Sequence, residues 1–343
     1  MTASSDRPRR SASLHTVAAN HAARDRAADD DGGAPASPRR LLVVYNPVAG
    51  WRRVGRFRQT LAQLARHGCT VTERATTGPG DAETIAAAAE NVDAVVVAGG
   101  DGTVNEALNG LMRRPDGVLP LAVIPLGTAN VLAGELGVPT DPEGAARAIA
   151  HGRIVTAHPG RARFRGRTRW FALMAGAGFD AQAVARVRTS VKRKLGKGAY
   201  VLAGLEAAAG YRYPELTVSV DGTPHACAQV VVCKGHFYAG RYVLAPDIRP
   251  WLPELHVVLF ERPGTFNAVR YALAMQLHRL HRLPDVRVLP ARSVRIDGSP
   301  GAPVQGDPVQ GDPVQGDGDL IGDIPVEIDF LEGAARFIVG DPP

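Results

Sequence analysis

The strongest chemical signal in this 343-residue chain is the glycine-rich turn GGDGT at 99–103, which follows an apolar run at 94–98. Glycines carry no side chains, so backbone N–H groups in such a turn can approach an anion closely. A helix beginning at Thr103 would direct its positive N-terminal end to the same point. Asp101 would by itself repel a phosphate, so its position indicates a bridging Mg²⁺ or a hydroxyl group that loses a proton. The pattern favours a phosphate site over an ordinary strand-to-helix turn that uses glycine for its positive φ.

Two further turns contain weaker signals of the same kind. The sequence NPVAG occupies 46–50, and GTAN occupies 127–130. Gly127 and Thr128 would form a second cluster of amides, with a hydroxyl group, ahead of a helix. The chain lacks the G-x-x-x-x-G-K-[ST] sequence of a P-loop, and it lacks a G-x-G-x-x-G turn with an acidic residue about 20 positions later. Both P-loop and dinucleotide-binding folds are therefore disfavoured.

The elements that must position these turns alternate between strands and helices. Apolar runs predict strands at 41–45, 70–74, 94–98 and 121–124, and helical spacing predicts helices at 56–67, 81–90 and 104–112. Such alternation predicts an α/β domain with a parallel sheet. Ligands of such sheets bind outside the carboxyl ends of the strands. Because all three turns lie at such ends, we expect them to share one crevice.

The pattern changes near residue 156 to short strands with few helices. A hairpin that turns at Gly166 is predicted over 161–174, followed by strands at 216–220, 228–233, 256–260, 286–289 and 294–296. We therefore expect an α/β domain at 40–156 and a β-rich, sandwich-like domain at 157–343. Two strands predicted within 324–339 could return to either domain.

The remaining composition limits the class of protein and its partners. Residues 1–39 lack apolar periodicity, which predicts a disordered tail. The net charge of +6 indicates anionic partners, but aromatic residues total only 6%, so nucleic acid is disfavoured. No apolar run approaches the length of a membrane-spanning helix. Three cysteines without a Cys-x-x-Cys pair fit a reducing, cytosolic compartment.

Basic residues form two clusters, one alternating over 161–169 and one within 186–197. For each cluster a solvated face is the favoured interpretation. Contact with an anionic membrane leaflet is the alternative, because each basic residue near such a surface contributes about 1 kcal/mol.

Taken together, the three turns resemble the signature turns of the diacylglycerol kinase catalytic domain, a family that includes sphingosine, ceramide and bacterial lipid kinases. The matching sequences are NP..G at 46–50, GGDGT at 99–103 and PLGTAN at 125–130, in the order and strand context of the family. Weaker matches continue at 171, 178–181, 195–200, 238–240 and 245–246. The resemblance implies that the first domain binds ATP without a P-loop and that a lipid cleft lies between the domains.

The resemblance also assigns site residues. Those that would hold the nucleotide are Asn46, Pro47, Gly50, Thr76, Gly99, Gly100, Gly102, Thr103, Asn105, Glu106, Gly127, Thr128 and Asn130. Thr76 could equally be a simple turn residue. Asp101 would contact a catalytic Mg²⁺ that is held mainly by the ATP phosphates. The family has an Asp-Gly-Glu near the C-terminus whose acid accepts a proton, and here Asp317-Gly318-Asp319 matches it, so Asp319 or Asp317 would take the proton of a lipid hydroxyl.

Three departures from the family pattern have consequences. Asp319 is one methylene shorter than the glutamate of the family, so its carboxylate would fall about 1 Å short, which can cost about 10²-fold in rate. Trp251 and Leu252 stand where the family often has carboxylates that support a structural Mg²⁺, which predicts that this second metal site is missing or rebuilt. The pentapeptide VQGDP recurs in tandem from Val304, and a slipped duplication in a surface loop is the favoured interpretation.

The sequence thus predicts an ATP-dependent lipid kinase that phosphorylates a hydroxyl of a diacylglycerol-like or sphingoid lipid. A catalytically impaired lipid- or nucleotide-binding protein of the same fold is one alternative. NAD kinase, which shares the GGDG turn, is another, although the PLGTAN turn favours the lipid kinases. We expect a cytoplasmic protein at the inner membrane face, whose partners are the lipid and a transient anionic membrane surface. The sequence does not decide whether the protein forms a homodimer.

Overall fold

The computed structural model describes residues 39–47, 53–114, 118–190, 211–298 and 312–340. The predicted disordered tail at 1–39 lies outside these residues except for Arg39. That residue is buried, and its guanidinium donates hydrogen bonds of 2.6 Å to the carbonyl oxygens of Ile149 and Gly152. Arg39 therefore belongs to the first domain, and the boundary drawn after residue 39 is wrong by that one residue.

The first domain alternates strands with helices, as predicted. Its elements are β1 Arg40–Tyr45, α1 Val54–Arg66, β2 Thr70–Ala75, α2 Asp81–Ala87, β3 Ala94–Gly99, α3 Asp101–Leu111, β4 Leu121–Pro125, α4 Val131–Glu135, α5 Pro142–His151 and β5 Arg153–Ala157. Every residue of β3 and β4 is buried. A parallel strand covered on both faces needs a continuous apolar sequence rather than an alternating one, which is why these runs identify the sheet.

The second domain is rich in strands. Its elements are β6 Gly160–Phe164, β7 Arg167–Phe171, β8 Met174–Gly178, α6 Phe179–Ser190, β9 Leu216–Val220, β10 Thr223–Cys227, β11 Gln229–Cys233, β12 Phe237–Tyr238, β13 Tyr242–Val243, β14 Leu255–Phe260, α7 Thr265–Gln276, a 3₁₀ turn Leu280–Arg282, β15 Val286–Ala291, β16 Val294–Asp297, β17 Pro313–Gly316, β18 Asp319–Asp323 and β19 Val326–Phe330; a last strand, β20, spans Ala335–Val339. Among the described residues, no helix is both long and apolar enough to span a bilayer.

Two antiparallel sheets of six strands form this domain, in the orders β10-β9-β16-β19-β6-β7 and β15-β14-β11-β8-β17-β18. They share one apolar core, to which Val218 and Ile328 contribute from the first sheet and Val230 and Val257 from the second. The first sheet shows the alternation of a half-buried strand, with Leu216, Val218 and Val220 buried in β9. The β-sandwich expected from the sequence is confirmed.

The last strand joins the two domains. The first sheet has the order β2-β1-β3-β4-β20-β5, and β20 pairs in parallel with β4 and antiparallel with β5. Of the two strands predicted within 324–339, β19 stays in the sandwich and β20 returns to the first domain. The chain therefore crosses between the domains twice, which restricts how far they can separate.

The contact between the domains lies beside the glycine-rich turn. Asn109 in α3 accepts a hydrogen bond of 2.9 Å from the backbone N–H of Trp170 in β7. Asn105, one turn earlier, donates to the carbonyl oxygen of Trp170 at 2.9 Å. The helix that begins at the glycine-rich turn is thus held against the second domain by side-chain amides.

Three of the five alternating arginines of the hairpin β6–β7 have acidic partners within the fold. Arg161 and Arg163 both pair with Asp329 of β19, at 2.7 and 2.6 Å. Arg169 pairs with Glu83 of α2 at 3.0 Å. These three arginines therefore take part in ion pairs of the fold, and contact of the hairpin with a membrane stays a prediction. The second basic cluster, at 186–197, lies outside the residues whose side chains are described.

Candidate active site

Two of the predicted turns touch each other. The strands that lead into them, β3 and β4, are parallel neighbours, so both turns leave the sheet at the same edge. A Cβ added to Gly127 would lie 2.5 Å from the Cα of Gly100, and one added to Gly100 would lie 3.3 Å from the Cα of Gly127. The two glycines are needed because the backbones approach too closely for any side chain.

The turn at Gly127 is braced by two side chains. Asn130 adopts a left-handed backbone with φ of 48°, and its side chain both accepts from the Gly127 N–H at 2.7 Å and donates to the Gly127 carbonyl at 2.9 Å. Arg53 also donates to that carbonyl from the start of α1. Arg53 was not among the residues predicted for this site, although Arg52 and Arg53 follow the NPVAG turn after Trp51. Its guanidinium adds a positive charge, which stabilises a bound phosphate.

The first turn meets the same edge through Asn46 and Thr103. The backbone N–H of Asn46 donates to the carbonyl of Ala98 at 3.1 Å, and its side-chain amide lies 3.4 Å from the Thr103 hydroxyl. A Cβ on Gly99 would lie 3.0 Å from the Cβ of Thr103, so this glycine lets the helix begin close to the strand. The structure thus brings the start of the first turn, at Asn46, to the edge where the other two turns meet.

The other predicted nucleotide residues differ in exposure. Pro47 and Thr128 are exposed, and Glu106 is half-buried in α3. Thr76 is buried, and its backbone N–H donates to Tyr45 at 2.9 Å, which ties the end of β2 to the end of β1. Gly50 lies outside the described residues.

Asp101 is the first residue of α3 and faces the start of α4. Its Oδ1 accepts a hydrogen bond of 3.1 Å from the Leu132 N–H. Burial raises the pKa of Asp101, while N–H groups of Leu132 and Val131 act against that rise. Mg²⁺ is usually bound by one or two carboxylates together with substrate phosphates. Asp101 and Asp319 line one cavity, and the described residues contain no group of three metal-ligating side chains. Binding of Mg²⁺ at Asp101 stays a prediction.

Asp317 holds the domains together rather than facing solvent. Its two oxygens accept hydrogen bonds from the backbone N–H groups of Ala172, Leu173 and Met174 and from the Asn105 amide, at 2.7 to 3.0 Å. Four donors occupy the acceptor positions of a carboxylate. Burial raises the pKa of Asp317, and these hydrogen bonds oppose that effect.

Asn105 is equally occupied, because its amide N–H groups bond Trp170 and Asp317 and its side-chain oxygen lies 3.1 Å from the amide nitrogen of Asn109. Asp317 and the Asn105 side chain thus make hydrogen bonds within the fold, and Asp317 also lines the cavity described below. Their predicted roles in proton transfer and in nucleotide binding stay predictions.

Asp319 lies against the glycine-rich turn. It is the first residue of β18, and a Cβ added to Gly102 would lie only 2.5 Å from its Oδ2. The carboxylate thus occupies space that is open because residue 102 is glycine. For a larger residue at 102 the Asp319 side chain would have to move, so the pair is a close tertiary contact between residues 217 positions apart.

A cavity of about 450 Å³ adjoins these carboxylates, and both Asp101 and Asp319 line it. Most of its wall is apolar, with Leu173, Val231 and Phe260 among the lining residues. Its volume falls within the usual range for small-molecule sites. The cavity therefore offers an apolar space with acidic groups on its wall.

One buried polar cluster interrupts the apolar wall. Asp180 accepts hydrogen bonds from the Tyr238 hydroxyl and from the Gln315 amide, the latter at 2.8 Å, and all three residues line the cavity. Burial raises the pKa of Asp180, and both hydrogen bonds counteract this. In the sequence Asp180 and Tyr238 stand only within weak matches to the family, because the two residues are 58 positions apart and meet only in the fold.

A buried lysine contacts the segment around Trp251 and Leu252, where the family often has carboxylates. The Lys234 ammonium is fully buried and donates to the backbone carbonyls of Leu252 and Glu254. Burial lowers its pKa to about 7. Backbone carbonyl oxygens of this segment thus accept hydrogen bonds from Lys234. That the second, structural Mg²⁺ site is missing or rebuilt stays a prediction.

The fold and this site together define a class. The chain joins a parallel α/β domain, which gathers glycine turns at one edge of its sheet, to a β-sandwich beside an apolar cavity. Residues 40–162 match the diacylglycerol kinase catalytic domain, and residues 174–339 match the YegS C-terminal NAD kinase beta sandwich-like domain. These two matches cover most of the chain.

Similar proteins agree with this class. A diacylglycerol kinase of Staphylococcus aureus strain MRSA252 is 32% identical over 216 residues, which cover 62% of this chain and 67% of the relative. A YegS-like lipid kinase of Shewanella frigidimarina is 35% identical over 197 residues, 56% of this chain and 62% of the relative. The match thus spans less than two thirds of the Shewanella protein. The chain belongs to the diacylglycerol kinase family.

A solved structure shows the same fold. The crystal structure of a diacylglycerol kinase from Bacillus anthracis superposes with a TM-score of 0.67, covering 88% of this chain and 97% of that chain, at 24% identity. The two-domain arrangement expected from the sequence is therefore shared with a known architecture.

Proposed function

We propose that this protein is an ATP-dependent lipid kinase that transfers the γ-phosphate of ATP to a hydroxyl group of a lipid. The observation that carries the proposal is the position of Asp319. Its carboxylate lies against Gly102 of the glycine-rich turn and also lines the apolar cavity. One carboxylate thus borders both the phosphate-binding turn and a space suited to a lipid chain. A base in that position can take a proton from a hydroxyl that attacks a phosphate.

The turns and one arginine would hold the nucleotide. Backbone N–H groups around Gly100 and Gly127 would bind the phosphates, and Arg53 would offset part of their charge. Asp101 would hold Mg²⁺, which would supply neutralisation of the phosphate charge, while Asp319 stays available to accept a proton. The side chains that brace the turns, Asn130 and Arg53, keep the phosphate site in place.

In the transfer step, the oxygen of the lipid hydroxyl attacks the γ-phosphorus while its proton passes to Asp319. The bond between the γ-phosphorus and the β,γ-bridging oxygen breaks, and ADP leaves with that oxygen. Asp319 is shorter than the glutamate of the family. Because its Oδ2 already lies in contact distance of Gly102, the short side chain still reaches the turn. This contact favours an active enzyme over an impaired binding protein.

The lining of the cavity favours a lipid acceptor over a dinucleotide. Its wall is mainly apolar, and Asp180 with Tyr238 and Gln315 offers one polar contact for a head-group hydroxyl or amine. These features suit a diacylglycerol-like or sphingoid lipid and leave the choice between them open. We also propose that the protein works in the ATP-containing cytoplasm and takes its lipid from an anionic membrane surface.

Phosphate transfer from labelled ATP tests the proposal. The full chain is incubated with Mg²⁺ and a panel of lipids in mixed micelles, with NAD as a competing acceptor. We expect label to appear in a lipid. A rate of label transfer that is about 10²–10⁴-fold lower in Asp319→Asn supports the assignment of Asp319 as the base. Asp323→Asn, an exposed carboxylate on the same strand, is the matched control. Label in NAD alone, or no label while ATP still binds, would overturn the proposal.

A further inference from the structure

Helix α7 is apolar on two opposite faces. One face lines the cavity through Ala268, Tyr271 and Met275. The other carries Phe266, Leu273 and Leu277, spaced seven and four positions apart, which places them on one side of a helix with 3.6 residues per turn. A helix packed on a domain needs only one apolar face, so the second face requires an explanation.

That outer face is exposed to an unusual degree. Phe266 is 80% exposed, Leu273 54% and Leu277 65%, and these are the three most exposed large apolar side chains in the described part of the chain. Along the helix they form a row about 16 Å long. Single exposed apolar residues need no explanation, whereas an aligned row of three marks a binding surface.

The charges around this row are of one sign. Arg262 precedes it, and Arg279 and Arg282 follow it, all of them exposed. The segment 262–284 contains no Asp or Glu. The half-buried Arg270 is paired with the buried Asp285, and Arg262 also lies 3.8 Å from that carboxylate, so Arg279 and Arg282 supply most of the surface charge. An apolar row with arginines at both ends complements a negatively charged lipid surface, in which apolar side chains enter the acyl region and arginines meet phosphates.

We propose that the outer face of α7, formed by Phe266, Leu273 and Leu277 with Arg262, Arg279 and Arg282, docks the protein on an anionic membrane. Docking there would place the bilayer directly over the helix whose inner face lines the cavity. A lipid would then reach the cavity past α7 without crossing bulk water. This route of entry rests on the proposed kinase function, whereas the docking itself does not.

Vesicle flotation of the full chain without ATP tests the docking. Vesicles of phosphatidylcholine with phosphatidylglycerol are compared with vesicles of phosphatidylcholine alone. We expect binding to the anionic vesicles that falls at least tenfold in Leu273→Ser/Leu277→Ser, because each leucine loses most of its transfer free energy. Arg279→Gln and Arg282→Gln should each lower binding about fivefold, and added salt should weaken it.

Leu331→Ser is the matched control, since Leu331 is an exposed leucine outside α7. Equal loss in this control, or unchanged binding in the α7 variants, would overturn the proposal. A wild-type dimer in sedimentation velocity that becomes a monomer in Leu273→Ser/Leu277→Ser would also overturn it, because the face would then bind a second copy of the chain.

Kinase assays separate the docking from the function. The α7 variants should lose activity on lipid in vesicles and keep it on a soluble short-chain diacylglycerol. Vesicle binding without any lipid phosphorylation would leave the docking intact and reject the kinase.

Discussion

A methyl group at position 102 would test the base without removing it. In Gly102→Ala, the new Cβ would lie 2.5 Å from Oδ2 of Asp319, whereas ordinary contacts begin at 3.4 Å. The carboxylate must therefore retreat by about 0.9 Å. A displacement of that size at a reacting group costs about 10²-fold in rate. We expect kcat to fall by about that factor.

Stability should change in the opposite direction. Residue 102 is the second residue of α3, and alanine in a helix is more stable than glycine by about 0.5–1 kcal/mol. The clash involves the end of a side chain, which can rotate at little cost. The midpoint of thermal unfolding should therefore hold or rise while activity falls. Gly55→Ala in α1, where a Cβ meets nothing within 4 Å, is the matched control and should keep full activity.

A double-mutant cycle decides whether the effect passes through Asp319. Steady-state phosphate transfer is measured for Gly102→Ala, Asp319→Asn and the combination. If the methyl group acts by displacing the carboxylate, it should have little further effect once the carboxylate is gone. Losses that multiply, or a Gly102→Ala enzyme within about threefold of the wild type, would refute the assignment of Asp319 as proton acceptor.

Three other predictions concern the turns and the buried charges. Gly127→Ala should lower kcat/KM by about 10²-fold, because its Cβ would lie 2.5 Å from the Cα of Gly100 and force two backbones apart; full activity would contradict this. Asp317→Asn should lower the free energy of unfolding in urea by about 2–5 kcal/mol, since an amide nitrogen would face backbone N–H donors; an unchanged midpoint would count against the anchor. The pKa of Lys234, lowered from 10.5 to about 7, means that the folded state binds fewer protons than the unfolded state between these values. Between pH 7 and pH 10 the free energy of unfolding should therefore rise by up to about 1.4 kcal/mol per pH unit because of this group. When that free energy is measured by urea unfolding at several pH values, it should rise less steeply with pH in Lys234→Met than in the wild type.

Local patterns determined the architecture and located the phosphate turns. Continuous apolar runs such as 94–98 identify buried parallel strands because both faces are covered, and alternation in 216–220 identifies a sandwich strand. The carboxyl ends of parallel neighbours meet at one edge, so the order of strands and turns along the chain is enough to place the three turns together. The resemblance of these turns to a kinase family then supplied the expected chemistry.

The sequence also shows that Asp319 directly follows the third copy of the repeat, 314–318, ahead of the predicted C-terminal strands. The choice between Asp317 and Asp319 cannot be made from the sequence. Both are acids in the same short segment. Only the fold shows that the oxygens of Asp317 accept hydrogen bonds from three backbone N–H groups and from Asn105, whereas Asp319 lies against Gly102. Hydrogen bonds between residues more than 140 positions apart leave no local pattern.

The same reason explains the residues that were missed. Arg53 reaches Gly127, and Asp180 meets Gln315, through contacts that depend on how β-strands of distant sequence are ordered in the sheets. Helix α7 shows a further limit of local patterns. It carries apolar residues on two opposite faces, and only the packing decides that Met275 faces a cavity while Leu273 faces solvent. The elements and their period follow from the sequence because these are set by each residue and its near neighbours, whereas the tertiary fold decides which of their side chains meet and which remain exposed.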